Sequence, residues 1–245
     1  MKFKEGYKYT NLTGYINIFS NPQWYLDTQS ELKEFFYDYD GNKENKSQEW
    51  LEKRNEFVKM VCELLEADQI ALGDSGINWD KDRSPIDTIV IHHTSTPSDI
   101  PIAAINALGL IRLYAPNYSK KDEEQFGQPI WSNHFYKNRQ TFIAYHYIIR
   151  QDGSFEHILQ DNQTGWHCGN WDYNCRSIAI CFLDDLKEKR PTEKALRTAN
   201  EIIKKYPNCN ILGHREIKPT TTCPGNLFLE KDGWKNDVFL KPQNN

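Results

Sequence analysis

The chain has 245 residues and a formal net charge of −4, with 7 Trp, 13 Tyr and 12 Phe. Its slight acidity excludes a general electrostatic attraction to nucleic acid or to anionic lipid, which needs an excess of basic residues. Its aromatic content argues against disorder over most of the length, because aromatic side chains supply large apolar surfaces for a core.

No segment reaches the roughly 18 consecutive apolar residues that a membrane-spanning helix needs. The first residues carry lysines, but no apolar run follows them, so we expect no signal peptide. We therefore expect synthesis as a soluble cytoplasmic chain, with any export by a signal-independent route. In that setting the six cysteines are expected to be reduced thiols or metal ligands, although a local disulfide between Cys168 and Cys175 stays open.

Two regions differ in character along the chain. Residues 1–80 are polar and aromatic and form an N-terminal extension without an assigned role, whereas residues 81–245 form the main domain. Within the extension, apolar residues recur at spacings of three and four after Ser47. This spacing predicts a helix that Ser47 caps and that ends near residue 67.

The main domain alternates β-branched runs with helical patterns, which indicates the α/β class. Residues 116–140 are polar and interrupt this alternation, so they are interpreted as a long loop or insertion. Strands are predicted at residues 86–92, 142–149, 155–159 and 177–182. Helices are predicted at residues 101–113 and 192–206, the second with Thr192 as its N-cap.

Three segments carry residues suited to metal chemistry: Ile91–Thr94, Tyr145–Tyr147 and Gly213–Gly225. Zinc binds imidazole nitrogen and thiolate sulfur, and a catalytic site leaves a fourth position for water. One histidine at the end of a buried strand, with a histidine and a cysteine flanking one loop, would provide such a site. Spacing alone makes this a moderate signal, since histidine pairs are often structural.

Four motifs in this order strengthen the interpretation: IVIHHT, AYHYIIRQDGSF, TGWHCGN followed by SIAICF, and GHREIKPTTTCPG. Over residues 84–230 the chain resembles the type 2 N-acetylmuramoyl-L-alanine amidases, which include phage amidases and peptidoglycan recognition proteins. The resemblance implies a central mixed β-sheet flanked by helices. It also implies a zinc ion bound by His92, His214 and Cys223, with His93 not a ligand.

The resemblance gives Tyr145 and Thr221 catalytic roles next to the metal. The Tyr145 hydroxyl would position the attacking water or hydrogen-bond the oxyanion, and the Thr221 hydroxyl would be a donor to the oxyanion. Strand alternation predicts that Tyr145 and Tyr147 share one face. The chain departs from parts of the family at two places, with Thr221 where a lysine is common and Cys181 where the recycling amidases have a glutamate.

His167 matches a family histidine on the loop that borders the substrate groove, and Trp166 suits stacking on sugar or peptide. Both are therefore predicted to bind substrate, and for His167 stabilisation of the tetrahedral intermediate is the alternative. The expected activity is hydrolysis of the lactyl–L-alanine amide in peptidoglycan or muropeptides, as in an endolysin. Two alternatives stay open: a peptidoglycan-binding module without catalysis, and a zinc amidase that cuts a different amide.

Overall fold

The computed structural model describes residues 47–239, apart from residues 69, 71 and 115–129. The chain divides into two compact units. The described residues of the first unit fall within 47–77 and 101–142, and those of the second within 78–100 and 143–239. The predicted division after residue 80 stays a prediction, because most of the extension lies outside the described residues. The same holds for much of the predicted loop at 116–140.

The secondary structure follows the predicted alternation of strands and helices. The helices of the described part are α1 (Gln48–Glu66), α2 (Ile102–Gly109), α3 (Trp171–Arg176), α4 (Glu193–Ile203) and α5 (His214–Ile217). The strands there are β1 (Thr88–His93), β2 (Phe135–Tyr136), β3 (Arg139–Gln140), β4 (Tyr147–Ile149), β5 (Phe155–His157), β6 (Ser177–Phe182) and β7 (Asn210–Gly213). Short turns of 3-10 helix lie at Trp79–Asp82, Asn226–Phe228 and Asn236–Phe239.

The first unit is built on the amphipathic helix α1, which lies against α2. Ser47 caps α1 as predicted, because its Oγ accepts a hydrogen bond from the backbone N–H of Trp50 at 3.1 Å. The buried stripe of α1 consists of Phe57, Val58, Val61 and Leu64. Helix α2 continues as π-helix over Leu110–Tyr114, and β2 pairs with β3 in a short antiparallel hairpin.

The second unit contains a five-stranded sheet in the order β5-β4-β6-β1-β7. Strands β4, β6, β1 and β7 are parallel, and β5 pairs antiparallel with β4. This mixed sheet confirms the predicted fold class. Helix α4 buries Leu196 and Ala199 in a core cluster that it shares with one face of the sheet, including Ile91, Tyr147 and Ile180.

Strand β4 is shorter than the predicted strand over residues 142–149. The backbone N–H of Ala179 donates to the ring Nδ1 of His146 at 3.1 Å, and not to a carbonyl of the neighbouring strand. The ladder with β6 therefore begins only at Tyr147. Sequence periodicity does not reveal such a substitution of a side chain for a backbone partner.

Within the described residues, no helix is long and apolar enough to cross a membrane.

The N-cap of α4 gives a stability prediction. Thr192 Oγ1 accepts from the N–H of Ala195 at 3.2 Å and also bonds the carbonyl of Gln151. We expect Thr192→Ala to lower the free energy of unfolding by about 1–2 kcal/mol, because it removes both bonds. Thr192→Ser keeps the hydroxyl and is the control in urea denaturation. Equal unfolding midpoints for the Ala and Ser variants would contradict the cap assignment.

Candidate metal centre

The candidate centre lies at the carboxyl ends of two neighbouring strands. His92 is near the end of β1, and His214 follows directly after β7 as the first residue of α5. Because β1 and β7 are adjacent and parallel, their carboxyl ends meet at the same edge of the sheet. Cys223 comes back to this edge in the loop after α5. His92 and Cys223 are buried, whereas His214 is partly exposed.

The three side chains form a group with the dimensions of a metal site. One donor atom from each of His92, His214 and Cys223 lies within 4.8 Å of the other two. Cys223 Sγ is 3.7 Å from His92 Nδ1. In a tetrahedral zinc site, bond lengths of about 2.3 Å to sulfur and 2.0 Å to nitrogen place those two atoms about 3.5 Å apart. The residues present therefore fit a zinc ion.

The second ring nitrogen of each histidine already has a partner. His92 Nε2 lies 2.9 Å from His167 Nδ1, and His214 Nε2 lies 3.1 Å from the carbonyl oxygen of Cys168. Metal-binding histidines commonly donate their other N–H to such a group, which orients the ring. In both residues, Nδ1 is thus the atom available to a metal.

His93 is turned away from this group. Its Nδ1 accepts the backbone N–H of Leu186 at 2.8 Å, and its Nε2 lies 3.1 Å from Ser95 Oγ. Adjacent residues of a strand project to opposite faces, which explains why only one histidine of the pair reaches the centre.

Burial sets the protonation of the centre. Removal from water lowers the pKa of His214 to about 4 and holds the pKa of His92 well below its ordinary value. Both rings are therefore neutral at pH 7 and can offer a lone pair. Burial raises the pKa of the Cys223 thiol to about 12, so its ionisation requires a neighbouring cation.

The loop that carries Cys223 is held by local bonds. The N–H of Cys223 donates to Thr221 Oγ1 at 3.2 Å, and its carbonyl accepts from the N–H of Arg215 at 2.8 Å. Gly225 has φ of +132°, and a Cβ there would lie 2.0 Å from the carbonyl oxygen of Leu186. Only glycine fits this conformation and this approach, so the loop is fixed by its sequence.

Tyr145 also lies at the centre. Its ring centroid is 5.2 Å from that of His92, and its side chain hydrogen-bonds Cys181. Tyr147 packs in the core cluster with Ile180, on the other face of the sheet from His92. The expectation that Tyr145 and Tyr147 share a face is therefore wrong. Residue 145 precedes the ladder of β4, where strict strand alternation does not apply.

Trp166 and His167 lie in one loop but have different surroundings. The Trp166 ring forms a cluster with Trp79 and Trp171, with edge-to-face centroid distances of 5.4–5.7 Å. Trp171 is 38% exposed. His167 is buried, with Nδ1 facing His92 and Nε2 lying 3.1 Å from Ser177 Oγ. Burial lowers the pKa of His167 to about 3, and the nearby His214 and Arg83 act in the same direction.

A family model described as N-acetylmuramoyl-L-alanine amidase matches residues 82–226. The chain belongs to this family. The matched range contains His92, His214, Cys223 and Tyr145. It also contains the motifs that suggested the resemblance.

Similar proteins come from an animal, a bacteriophage and a bacterium. Peptidoglycan-recognition protein 1 of Holotrichia diomphalia is 24% identical over 170 residues, which cover 66% of this chain and 76% of that protein. An endolysin of a Thermus scotoductus bacteriophage is 23% identical, covering 64% of this chain and 84% of its own, with a TM-score of 0.42. The amidase LysC of Clostridium intestinale URNW is 19% identical, covering 68% and 92%, with a TM-score of 0.45.

Three residues that the sequence did not single out support the candidate centre. Asn174 Oδ1 accepts the N–H groups of His167 and Cys168 at 3.2 and 3.1 Å. Arg83 Nη1 donates to the carbonyls of Asn174 and Ser177 at 3.1 and 2.9 Å. Ser177 opens the SIAICF motif, which was the one available signal. Arg83 acts on carbonyls more than 90 residues away, and Asn174 lies outside the motifs, so no sequence signal indicated either.

Gly165 provides a test of the geometry of the loop that carries Trp166 and His167. A Cβ at this position would lie 2.2 Å from the carbonyl oxygen of Ala144, just before Tyr145. We expect Gly165→Ala to displace the loop and lower the free energy of unfolding by about 1–3 kcal/mol, since the backbone must move. Urea denaturation measures this effect. A variant as stable as the wild type would show that the loop does not approach Ala144 this closely.

Proposed function

We propose that the chain is a zinc-dependent N-acetylmuramoyl-L-alanine amidase that hydrolyses the amide between the lactyl group of muramic acid and L-alanine in peptidoglycan. The observation that carries this proposal is the group of His92, His214 and Cys223, whose donor atoms have the spacing of a zinc site. Membership of the amidase family supports the same reaction.

The donor set supports a catalytic rather than a structural metal. Two imidazoles and one thiolate leave a fourth position open, as in catalytic zinc sites, whereas structural sites use four protein ligands. His92 Nδ1, His214 Nδ1 and Cys223 Sγ would hold the ion. A bound zinc ion would supply a Lewis acid and make water reactive at neutral pH.

Tyr145 and Thr221 are proposed to assist at the substrate carbonyl. As the water oxygen joins the carbonyl carbon, negative charge develops on the carbonyl oxygen and a positioned hydroxyl can stabilise it. Tyr145 lies against His92, with ring centroids 5.2 Å apart. Thr221 accepts the N–H of Cys223 and retains its own hydroxyl proton for donation. The C–N bond then breaks, and the amine of L-alanine leaves with the proton that the attacking water has lost.

The cluster of Trp79, Trp166 and Trp171 is proposed as the aromatic wall for sugar or stem peptide. Its exposed member, Trp171, offers ring surface for stacking on an apolar sugar face. His167 was predicted to bind substrate as well. Its burial and its bonds to His92 and Ser177 favour a positioning role instead.

A second candidate is a peptidoglycan-binding module without catalysis, because relatives of the chain are named peptidoglycan-recognition proteins. The complete set of His92, His214, Cys223 and Tyr145 favours the enzyme, since binding alone does not require an open metal position. In either case the proposed partner is peptidoglycan or a muropeptide. The likeness to a phage endolysin is compatible with a role in cell-wall degradation.

Metal dependence is tested by mass spectrometry of muropeptides incubated with the purified full chain. We expect release of peptide with a free L-alanine N-terminus, together with about one zinc per chain. Cys223→Ala should lose both, because it removes the sulfur ligand, and a chelator should abolish cleavage. Cys62→Ala, which changes a cysteine of α1, is the matched control and should retain both.

The results of this experiment distinguish between the candidate functions. Bound zinc without cleavage of muropeptides or intact sacculi would reject the proposed activity in favour of a binding module or a different amide. Absence of zinc from the freshly purified wild type would reject the metal centre itself.

The role of Tyr145 is tested by Tyr145→Phe, which removes only the hydroxyl. We expect kcat to fall by about 100-fold to 1000-fold with zinc content unchanged, because one donor to the developing charge is lost. Tyr147→Phe is the matched control, since the Tyr147 hydroxyl bonds Tyr206 at 3.2 Å, away from the centre. Equal kcat values for the two variants would remove Tyr145 from the mechanism.

A further inference from the structure

A chain of hydrogen bonds leads from the backbone of α3 to the candidate metal ligand His92. Ser177 Oγ lies 2.6 Å from the carbonyl oxygen of Tyr173 and 3.1 Å from His167 Nε2. His167 Nδ1 in turn lies 2.9 Å from His92 Nε2. The side chains of Ser177, His167 and His92 are all buried, so bulk water does not compete for these bonds.

Which atom donates in each of these hydrogen bonds follows from the first bond of the series. A carbonyl oxygen only accepts, so the hydroxyl of Ser177 must donate to Tyr173. Its single proton is then used, and Ser177 Oγ must accept from His167 Nε2–H. A neutral imidazole carries one proton, so His167 Nδ1 is an acceptor and receives the N–H of His92.

This sequence of donors and acceptors determines which ring nitrogen of His92 carries the proton. With its proton on Nε2, the lone pair of His92 lies on Nδ1, the atom 3.7 Å from Cys223 Sγ. The opposite tautomer would place a proton between the ring and a bound metal. We propose that His167 and Ser177 are positioning residues that hold His92 in the Nε2–H tautomer and so present Nδ1 to the metal.

The surrounding bonds keep this chain in place. Arg83 Nη1 donates to the carbonyl of Ser177 at 2.9 Å, and Asn174 Oδ1 accepts the N–H of His167 at 3.2 Å. Both ring nitrogens of His167 are occupied within the protein, which leaves neither for a substrate. The role therefore differs from the substrate contact that the motif suggested.

This inference rests on the proposed zinc site but is tested separately from it. The tautomer is measured by long-range ¹H–¹⁵N NMR on the metal-free wild-type protein. We expect a protonated Nε2 and an unprotonated Nδ1 at His92, and the same arrangement at His167. A proton on Nδ1 of His92 would overturn the inference, whether or not any variant folds.

The contribution of Ser177 to metal binding is measured as the zinc affinity of the protein in competition with a chromophoric chelator. Loss of a group bonded to a metal ligand typically weakens affinity about 10-fold to 100-fold. Because Ser177 acts on His92 only through His167, we expect the lower end of this range, about 10-fold, for Ser177→Ala. Ser177→Thr keeps the hydroxyl and should restore the affinity. Ser95→Ala is the matched control, because it removes an equal 3.1 Å serine–histidine contact at His93, which is outside the centre.

A zinc affinity of Ser177→Ala within twofold of the wild type would overturn the positioning role, provided that circular dichroism shows a folded variant. If the wild type binds no zinc, the proposed metal function fails, whereas the NMR result still decides the tautomer. The two failures are therefore distinguishable.

Discussion

The parallel pairing of β1 with β7 is the constraint on which the centre depends. Ile91 pairs with Gly213 at the end of this ladder. The residues that follow this pair, His92 in β1 and His214 directly after β7, therefore lie at the same edge of the sheet. A shift of one residue in β1 would turn His92 into the core and bring His93 to the centre. The register is fixed because Ile89 and Ile91 must stay in the core cluster beneath α4.

Burial has two opposite effects on the ligands that this pairing brings together. It keeps the histidines neutral, which makes their lone pairs available, and it disfavours the thiolate of Cys223. A divalent cation would offset the second effect, because it would stabilise the charged sulfur in a site with little water. A bound metal would therefore favour the neutral imidazoles and the thiolate together.

The sequence predicted those helices and strands whose local sequence pattern agrees with their packing in the fold. Helix α1 has its cap at Ser47 and helix α4 at Thr192, and both are where the spacing and the N-cap residues indicated. The β-branched run of β6 coincides with the predicted strand at 177–182. The strand predicted over 142–149 was too long, because the side chain of His146 replaces a backbone acceptor for Ala179.

The site itself was less accessible to sequence reasoning. The motifs indicated His92, His214 and Cys223, and the structure brings these three together. They did not indicate Arg83, which bonds backbone carbonyls more than 90 residues away, or Asn174, which lies just outside the motifs and bonds the N–H group of His167. The surroundings of His167 also depend on tertiary contacts, and a loop motif contains no information about what fills the space around a ring.

Zinc K-edge X-ray absorption of the purified protein identifies the atoms bound to the metal. We expect one sulfur at about 2.3 Å and two imidazole nitrogens at about 2.0 Å, with one further light atom completing the shell. A zinc shell without sulfur, or with two sulfur atoms, would contradict the assignment of His92, His214 and Cys223 as the ligands.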